Sequence, residues 1–183
     1  MDLPELIGDL VILRKLDVEK DASSYFNVSL DKNIHTWVGN NVPKSIDEIK
    51  NLLFSYEKCM FVWMIINRQT SEIIGIMRIS FPELVNSKLV AGDSQRLLSK
   101  YWRKGHMKEA RNLIYEFAYT SLKIETLYAD VWEENINSLE SLKSIGYQIY
   151  DRKEEFFEKG NIKRYKCYLE LNLRKWYIEN RNY

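Results

Sequence analysis

The stretch WRKGHMKEARNLI, Trp102 to Ile114, places a glycine at the mouth of a helical pattern and surrounds it with positive charge. Beyond Gly105, the residues Met107, Ala110, Leu113, Ile114, Phe117, Ala118 and Leu122 recur at steps of three and four, the spacing of one helix face. The first N–H groups of a helix have no partner within it, and the helix dipole makes that end positive. A phosphate answers both conditions. Glycine lets the backbone come close to an anion, and Arg103, Lys104 and Lys108 add charge-assisted contacts. The stretch is therefore suited to a pyrophosphate. The plainer reading, a helix that starts at a glycine beside solvated lysines, stays open on these residues alone.

On either side of this stretch the pattern alternates between strands and helices. Leu10–Leu16 reads as a first strand and Val18–Ser29 as a short helix. KSIDEIKNLLFSYEK reads as a second helix, with Ser45 and Glu48 as a capping box and Ile49, Leu52, Leu53 and Tyr56 on one face. The apolar run Met60–Ile66 is a strand covered on both faces. It forms a hairpin with Ile73–Ser80 across the turn NRQTSE. A further strand is expected near Val90–Leu98. Thr126–Trp132 alternates as a strand, and NINSLESLKSIGY is a short helix with Leu139, Leu142 and Ile145 on one face and Gly146 as its stop. The last two strands flank the turn Lys159-Gly160-Asn161, and Tyr165, Cys167, Leu169 and Leu171 alternate in the second arm. The order implies one α/β domain over residues 1–183, with a mixed, mostly antiparallel sheet flanked by helices.

Composition narrows the function classes. The chain has 183 residues, 45% of them hydrophobic and 13% aromatic, which is the make-up of a globular domain able to bury a core. With 27 basic and 26 acidic side chains the net charge is +1, so neither sign dominates and no nucleic-acid or membrane partner is expected. Two histidines, His35 and His106, are too few and too scattered for a zinc site, so no metal is expected. Cys59 and Cys167 lack metal-ligand spacing and are expected as buried free thiols in a reducing compartment. No long apolar run and no signal-peptide pattern are visible, so the expected location is cytoplasmic.

Three motifs carry a family resemblance. YWRKGHMKEA resembles the acetyl-CoA loop of the GNAT superfamily of N-acetyltransferases, in particular the branch of ribosomal-protein N-terminal and spermidine acetyltransferases. Tyr101, Trp102, Lys104, Gly105, Glu109 and Ala110 match that pattern. NINSLESLKSIGY resembles the family's Asn-x-x-Ser helix ending in Gly-Tyr, through Asn135, Ser138, Gly146 and Tyr147. EEFFEKGNIKRYKCYLEL resembles the closing hairpin. The likeness runs from about Leu10 to about Leu173 and implies a GNAT-like fold. Arg103 departs from it where a glycine usually sits, either adding a phosphate contact or altering the loop backbone; Met107 stands where glycine or alanine is usual. Ser94 falls about where the preceding strand carries glycine, and Arg164 replaces a commonly acidic residue.

The resemblance implies transfer of an acetyl group from acetyl-CoA, as cosubstrate, to a primary amine: a protein N-terminus, a polyamine or a small amine compound. It assigns the cofactor loop to Arg103, Lys104, Gly105, His106, Met107 and Lys108. Backbone N–H groups on a splayed strand, which maps to Arg96, Leu97 and Leu98, polarise the thioester carbonyl. Ser138 is implied near the departing sulfur as the catalytic residue, and Asn135 near the pantetheine. The bland readings are a routine first-turn serine and a helix cap. For the base that takes the amine proton, Glu83, Asp93, Glu154 and Glu155 are candidates, each readable as a solvated surface acid. His35 and Trp37 lie in a loop where related enzymes contact acceptors; Trp102 reads as packing beneath the cofactor loop. The aromatic, charged end LRKWYIENRNY suits packing against a second copy, a possible homodimer. A different class of function, a catalytically silent CoA-binding regulatory or interaction module, is motivated by the substituted loop and the absence of an obvious base.

Overall fold

The structure is a computed structural model that describes residues 3–37 and 42–180. The described residues form two compact units: those up to Phe81 with Ser94–Ile114, and Pro82–Asp93 with those from Tyr115 onward.

The first unit holds β1 (Leu6–Ile7), β2 (Val11–Lys15), α1 (Val18–Ser29), α2 (Lys32–His35), α3 (Ile46–Glu57), β3 (Met60–Asn67) and β4 (Ile73–Ser80). It also takes the Ser94–Leu97 end of β6 (Lys88–Leu97), a 3-10 turn at Ser99–Tyr101 and the start of α4 (His106–Thr120). β1, β2, β3 and β4 pair antiparallel in sequence order. Asp17 caps α1 by accepting from the Lys20 N–H at 3.2 Å. Ser45 caps α3 through the Glu48 N–H at 3.2 Å. The expected capping box is only half formed, because the Glu48 carboxylate accepts from the Lys44 N–H at 2.8 Å, one residue before the cap. The apolar faces of α1 and α3 meet Val62, Met64 and Ile76 of the sheet in one core that includes Tyr25 and Tyr56. β4 needs Gly75, because a Cβ there would stand 2.3 Å from the Arg96 carbonyl oxygen.

The second unit holds β5 (Glu83–Val85), the start of β6, the end of α4, β7 (Thr126–Trp132), α5 (Ile136–Ser144), β8 (Gln148–Phe157), β9 (Ile162–Asn172) and α6 (Leu173–Asn180). β6 pairs parallel with β7, while β5–β6, β7–β9 and β8–β9 are antiparallel. The fold is thus mixed α/β with a mostly antiparallel sheet flanked by helices. Cys167 is a buried free thiol as expected, but Cys59 is exposed, since it follows α3 rather than lying on its buried face. In α6, Leu173 and Trp176 are buried within this unit, and Trp176 stacks edge-on against Tyr115 at 5.5 Å.

Candidate active site

The loop that opens α4 is built from below. The Trp102 indole donates to the Leu97 carbonyl at 2.7 Å, so this residue does pack under the loop. Lys100 and the Tyr101 hydroxyl both reach the Glu72 carboxylate, at 2.8 and 2.9 Å. These bonds hold the Glu72 carboxyl below its usual range against the opposing effect of burial. Arg103 adopts φ +58, a left-handed conformation that a side chain disfavours, at the position where the resemblance leads one to expect glycine. Gly105 follows at φ +87. The first helical bond runs from the Glu109 N–H to the Gly105 carbonyl at 3.0 Å. The N–H groups of His106, Met107 and Lys108 precede it and open onto the helix mouth. Arg103, Lys104, Gly105 and Lys108 are exposed there.

The His106 side chain turns inward and is 7% exposed. Asn67 fixes it. The Asn67 Oδ1 accepts from the Gln69 and Thr70 N–H groups at 3.0 and 2.9 Å, so its Nδ2 faces His106 and donates to Nε2 at 3.1 Å. His106 therefore offers the loop its backbone and anchors it by its ring. Glu109, in the first turn, accepts three N–H bonds of 2.8 Å, from Asp9, Leu10 and Val11.

The strand before the loop places the second group of candidates. The Leu98 N–H donates to the Ile74 carbonyl of β4 at 2.8 Å, and the Leu98 carbonyl accepts from Tyr101 at 2.9 Å. Successive N–H groups in extended backbone point to opposite edges. The Leu97 N–H therefore points away from β4. The Arg96 side chain lies on the face that Leu98 turns toward the α1–α3 core. The same core holds Arg78, 8% exposed, whose guanidinium sits 4.0 Å over the Tyr56 ring. The phenol oxygens of Tyr25 and Tyr56 lie beside Arg96 without closing hydrogen bonds of ordinary geometry; both are buried without a partner, as is Nε of Arg78.

In the second unit, Asn135 caps α5: its Oδ1 accepts from the Ser138 N–H at 3.4 Å. The cap is thus Asn135, and the Ser138 hydroxyl takes no part in it. The ladder of β6 with β7 ends at Gly92–Tyr128. The next residue, Asp93, is not the solvated acid that the sequence suggests: it is 8% exposed because two tyrosines cover it. One carboxylate oxygen accepts from the Tyr147 hydroxyl at 2.9 Å and from the Tyr115 hydroxyl. Burial, then the Asp93 charge, pushes the Tyr147 phenol well above its ordinary value, so it stays a neutral donor. Among the other acids, Glu83 is exposed, Glu154 pairs with Lys163 at 3.2 Å, and Glu155 bonds the Tyr168 hydroxyl. His35 is buried against the Ser29 carbonyl.

The structure thus gathers Arg96, Leu97, Leu98 and the Arg103–Lys108 loop in the first unit, and places Asn135 and Ser138 in the second. Sequence reasoning missed Tyr25, Tyr56 and Arg78, although a lone arginine inside the apolar run IIGIMRIS was a visible signal. Among the described residues, no group of three His, Cys, Asp or Glu side chains is placed to hold a metal, and no helix is long and apolar enough to cross a membrane.

Comparison with known proteins adds to this geometry. Residues 11–148 match the model of the acetyltransferase (GNAT) domain. The chain is 24% identical over 148 residues to the uncharacterized N-acetyltransferase p20 of Bacillus licheniformis, covering 78% of this chain and 82% of that protein. Its fold is similar to that of the ribosomal-protein-S5-alanine acetyltransferase of Vibrio fischeri, with TM-score 0.80, 15% identity and coverage of 95% and 99% of the two chains. It is also similar to the spermidine N-acetyltransferase of Vibrio cholerae solved in complex with CoA and spermine, with TM-score 0.78, 17% identity and coverage of 92% and 99%.

Proposed function

The chain belongs to the acetyltransferase (GNAT) domain family and is an acetyl-CoA-dependent N-acetyltransferase; from that premise we propose that it moves the acetyl group to a primary amine by direct attack within a ternary complex. The observation that carries this reading is the mouth of α4, where Gly105 at φ +87 precedes three N–H groups outside the helical ladder. The cofactor's diphosphate sits on the backbone of Arg103–Lys108, with Arg103, Lys104 and Lys108 supplying charge. The whole chain acts as one acetyltransferase domain on a small or peptide amine.

The chemistry follows from the chain's own groups. The amine lone pair attacks the thioester carbonyl carbon, the C–N bond forms, and the C–S bond breaks. The Leu97 N–H, aimed away from β4, donates to the oxygen on which negative charge develops. Arg96 and Leu98 hold it in place, the latter through its own bond to Ile74. The amine loses its proton to water. The departing thiolate takes a proton from the Ser138 hydroxyl, which water restores. Asn135 caps α5 and supports the pantetheine region. No step draws on a metal.

Two variants test this. Gly105→Val adds side-chain atoms at a positive φ, starting with a Cβ 3.1 Å from the Leu10 Cδ1, and should weaken acetyl-CoA binding measured by calorimetry. Unchanged affinity would remove the phosphate-loop role. Ser138→Ala should lower kcat by a factor on the order of 10² with little change in acetyl-CoA affinity. The working acceptor comes from a screen of polyamines, amino acids, N-terminal peptides and aminoglycosides that reads released CoA thiol. Acetyl-CoA binding without turnover on the whole panel would favour the silent CoA-binding module instead.

A further inference from the structure

Two guanidinium groups stand in the α1–α3 core of the first unit, and the residues around them do not neutralise them. Arg78 is 8% exposed and Arg96 half-buried. Among the described residues, no carboxylate pairs with either. Among the described residues, Arg78 packs on the face of the Tyr56 ring, at 4.0 Å, and its Nε is buried without an acceptor. The buried hydroxyls of Tyr25 and Tyr56 lie beside Arg96, itself a donor, and close no hydrogen bond of ordinary geometry. Elsewhere in the same unit a buried charge is answered: Asp21, 2% exposed, pairs with Arg14 at 2.7 Å. Burying a charge without a counter-charge is costly, and burying a hydroxyl without a hydrogen bond adds to that cost. A cluster of two cations and two hydroxyl donors that lacks an anion is arranged for one.

Resting on the proposed acetyl transfer, we infer that the acceptor is a small primary amine that also carries an anionic oxyacid group, a carboxylate or a phosphate, held by Arg96 and Arg78 with the Tyr25 and Tyr56 hydroxyls. The planar guanidinium fork matches both anions. Position supports the assignment. Arg96 is the residue next to Leu97, whose N–H is the donor for the thioester carbonyl, so an acceptor anchored at Arg96 is held beside the strand that presents the reacting carbon. The same two cations repel a polyamine, which brings only positive charge to this core.

The experiment compares four straight-chain amines of matched length, ending in a carboxylate, a phosphate, a hydroxyl or a second amine. Thiol release and calorimetry are both read on the full chain. The carboxylate or phosphate amine should exceed the alcohol and the diamine in kcat/KM by at least about tenfold, the size expected of a partly buried charge-assisted contact; which of the two leads distinguishes the oxyacids. Arg96→Gln should collapse that ratio toward one, and Arg96→Lys should restore part of it. Preferential acetylation of the diamine or the alcohol would overturn the inference while leaving acetyl transfer intact. If no amine is acetylated, calorimetry decides: binding of the anionic amines that Arg96→Gln abolishes supports the anion site and removes the transferase reading, whereas equal or absent binding of all four overturns the anion site.

Discussion

Two buried polar clusters of this molecule make opposite use of tyrosine. In the second unit, Tyr115 and Tyr147 surround Asp93, and both hydroxyls donate to one carboxylate oxygen. In the first unit, Tyr25 and Tyr56 lie beside Arg78 and Arg96, and neither hydroxyl closes a hydrogen bond of ordinary geometry. The first arrangement is closed, with donors and acceptor matched; it holds Asp93 of β6, Tyr115 of α4 and Tyr147, the residue before β8, together. The second is open, with donors in excess and no anion. Buried polar groups that are satisfied stabilise and specify a fold, and those left unsatisfied lower its stability. Burial of polar residues alone therefore does not mark a site. The mismatch between donors and acceptors does.

The largest expected effect comes from breaking the closed cluster. Asp93→Ala removes the acceptor that two buried hydroxyls share and should cost about 3 kcal/mol of stability in urea unfolding. A smaller loss, about 1.5 kcal/mol, is expected for Tyr147→Phe, because Asp93 keeps Tyr115. Tyr147 also fixes the alkaline behaviour. Its folded-state value is raised well above the ordinary phenol value. The stability it contributes is thus fully present below about pH 10 and lost as pH rises beyond it, where the unfolded tyrosine ionises. Tyr147→Phe should flatten that loss; an unchanged alkaline slope would mean that Tyr147 does not carry it. Arg103→Gly extends the comparison to the loop. Relief of a left-handed arginine should raise stability by about 1 kcal/mol. Its acetyl-CoA affinity at low and high salt then reports whether the lost charge mattered. The smallest effect belongs to the open cluster: Arg78→Met should raise stability by about 0.5 kcal/mol, because removing a buried charge that has no counter-charge outweighs the lost contact with the Tyr56 ring. A loss as large as that of Asp93→Ala would erase the distinction between the two clusters.

Much of this architecture was legible in local pattern. α1 and β7 follow the expected bounds because their periodicity is regular and their ends carry clear signals, Asp17 at one and the turn after Leu122 at the other. β1, α2 and β5 are not legible: two to four residues are too few to show a period. The phosphate-loop reading rested on Gly105 and its cations, and the structure adds that Arg103 shares the left-handed backbone. The closed cluster escaped because Asp93, Tyr115 and Tyr147 are far apart in sequence, and an acid in a strand reads as surface until its partners are known. The open cluster escaped for a similar reason, although Arg78 is conspicuous among apolar neighbours. Which residues face Arg78 is a property of how α1 and α3 lie on the sheet.

Glu109 has a consequence for the timing of binding. An acid in the first turn of the helix proposed to hold a diphosphate would ordinarily oppose the ligand's charge. Here the carboxylate is engaged by the N–H groups of Asp9, Leu10 and Val11, the first of them 100 residues away in sequence. The bonds tie the mouth of α4 to the turn before β2 whether or not a ligand is present. The loop's conformational entropy is thereby given up during folding rather than at the encounter. A preorganised cradle retains more of its contact energy as affinity, and it meets each new cofactor molecule in the same shape.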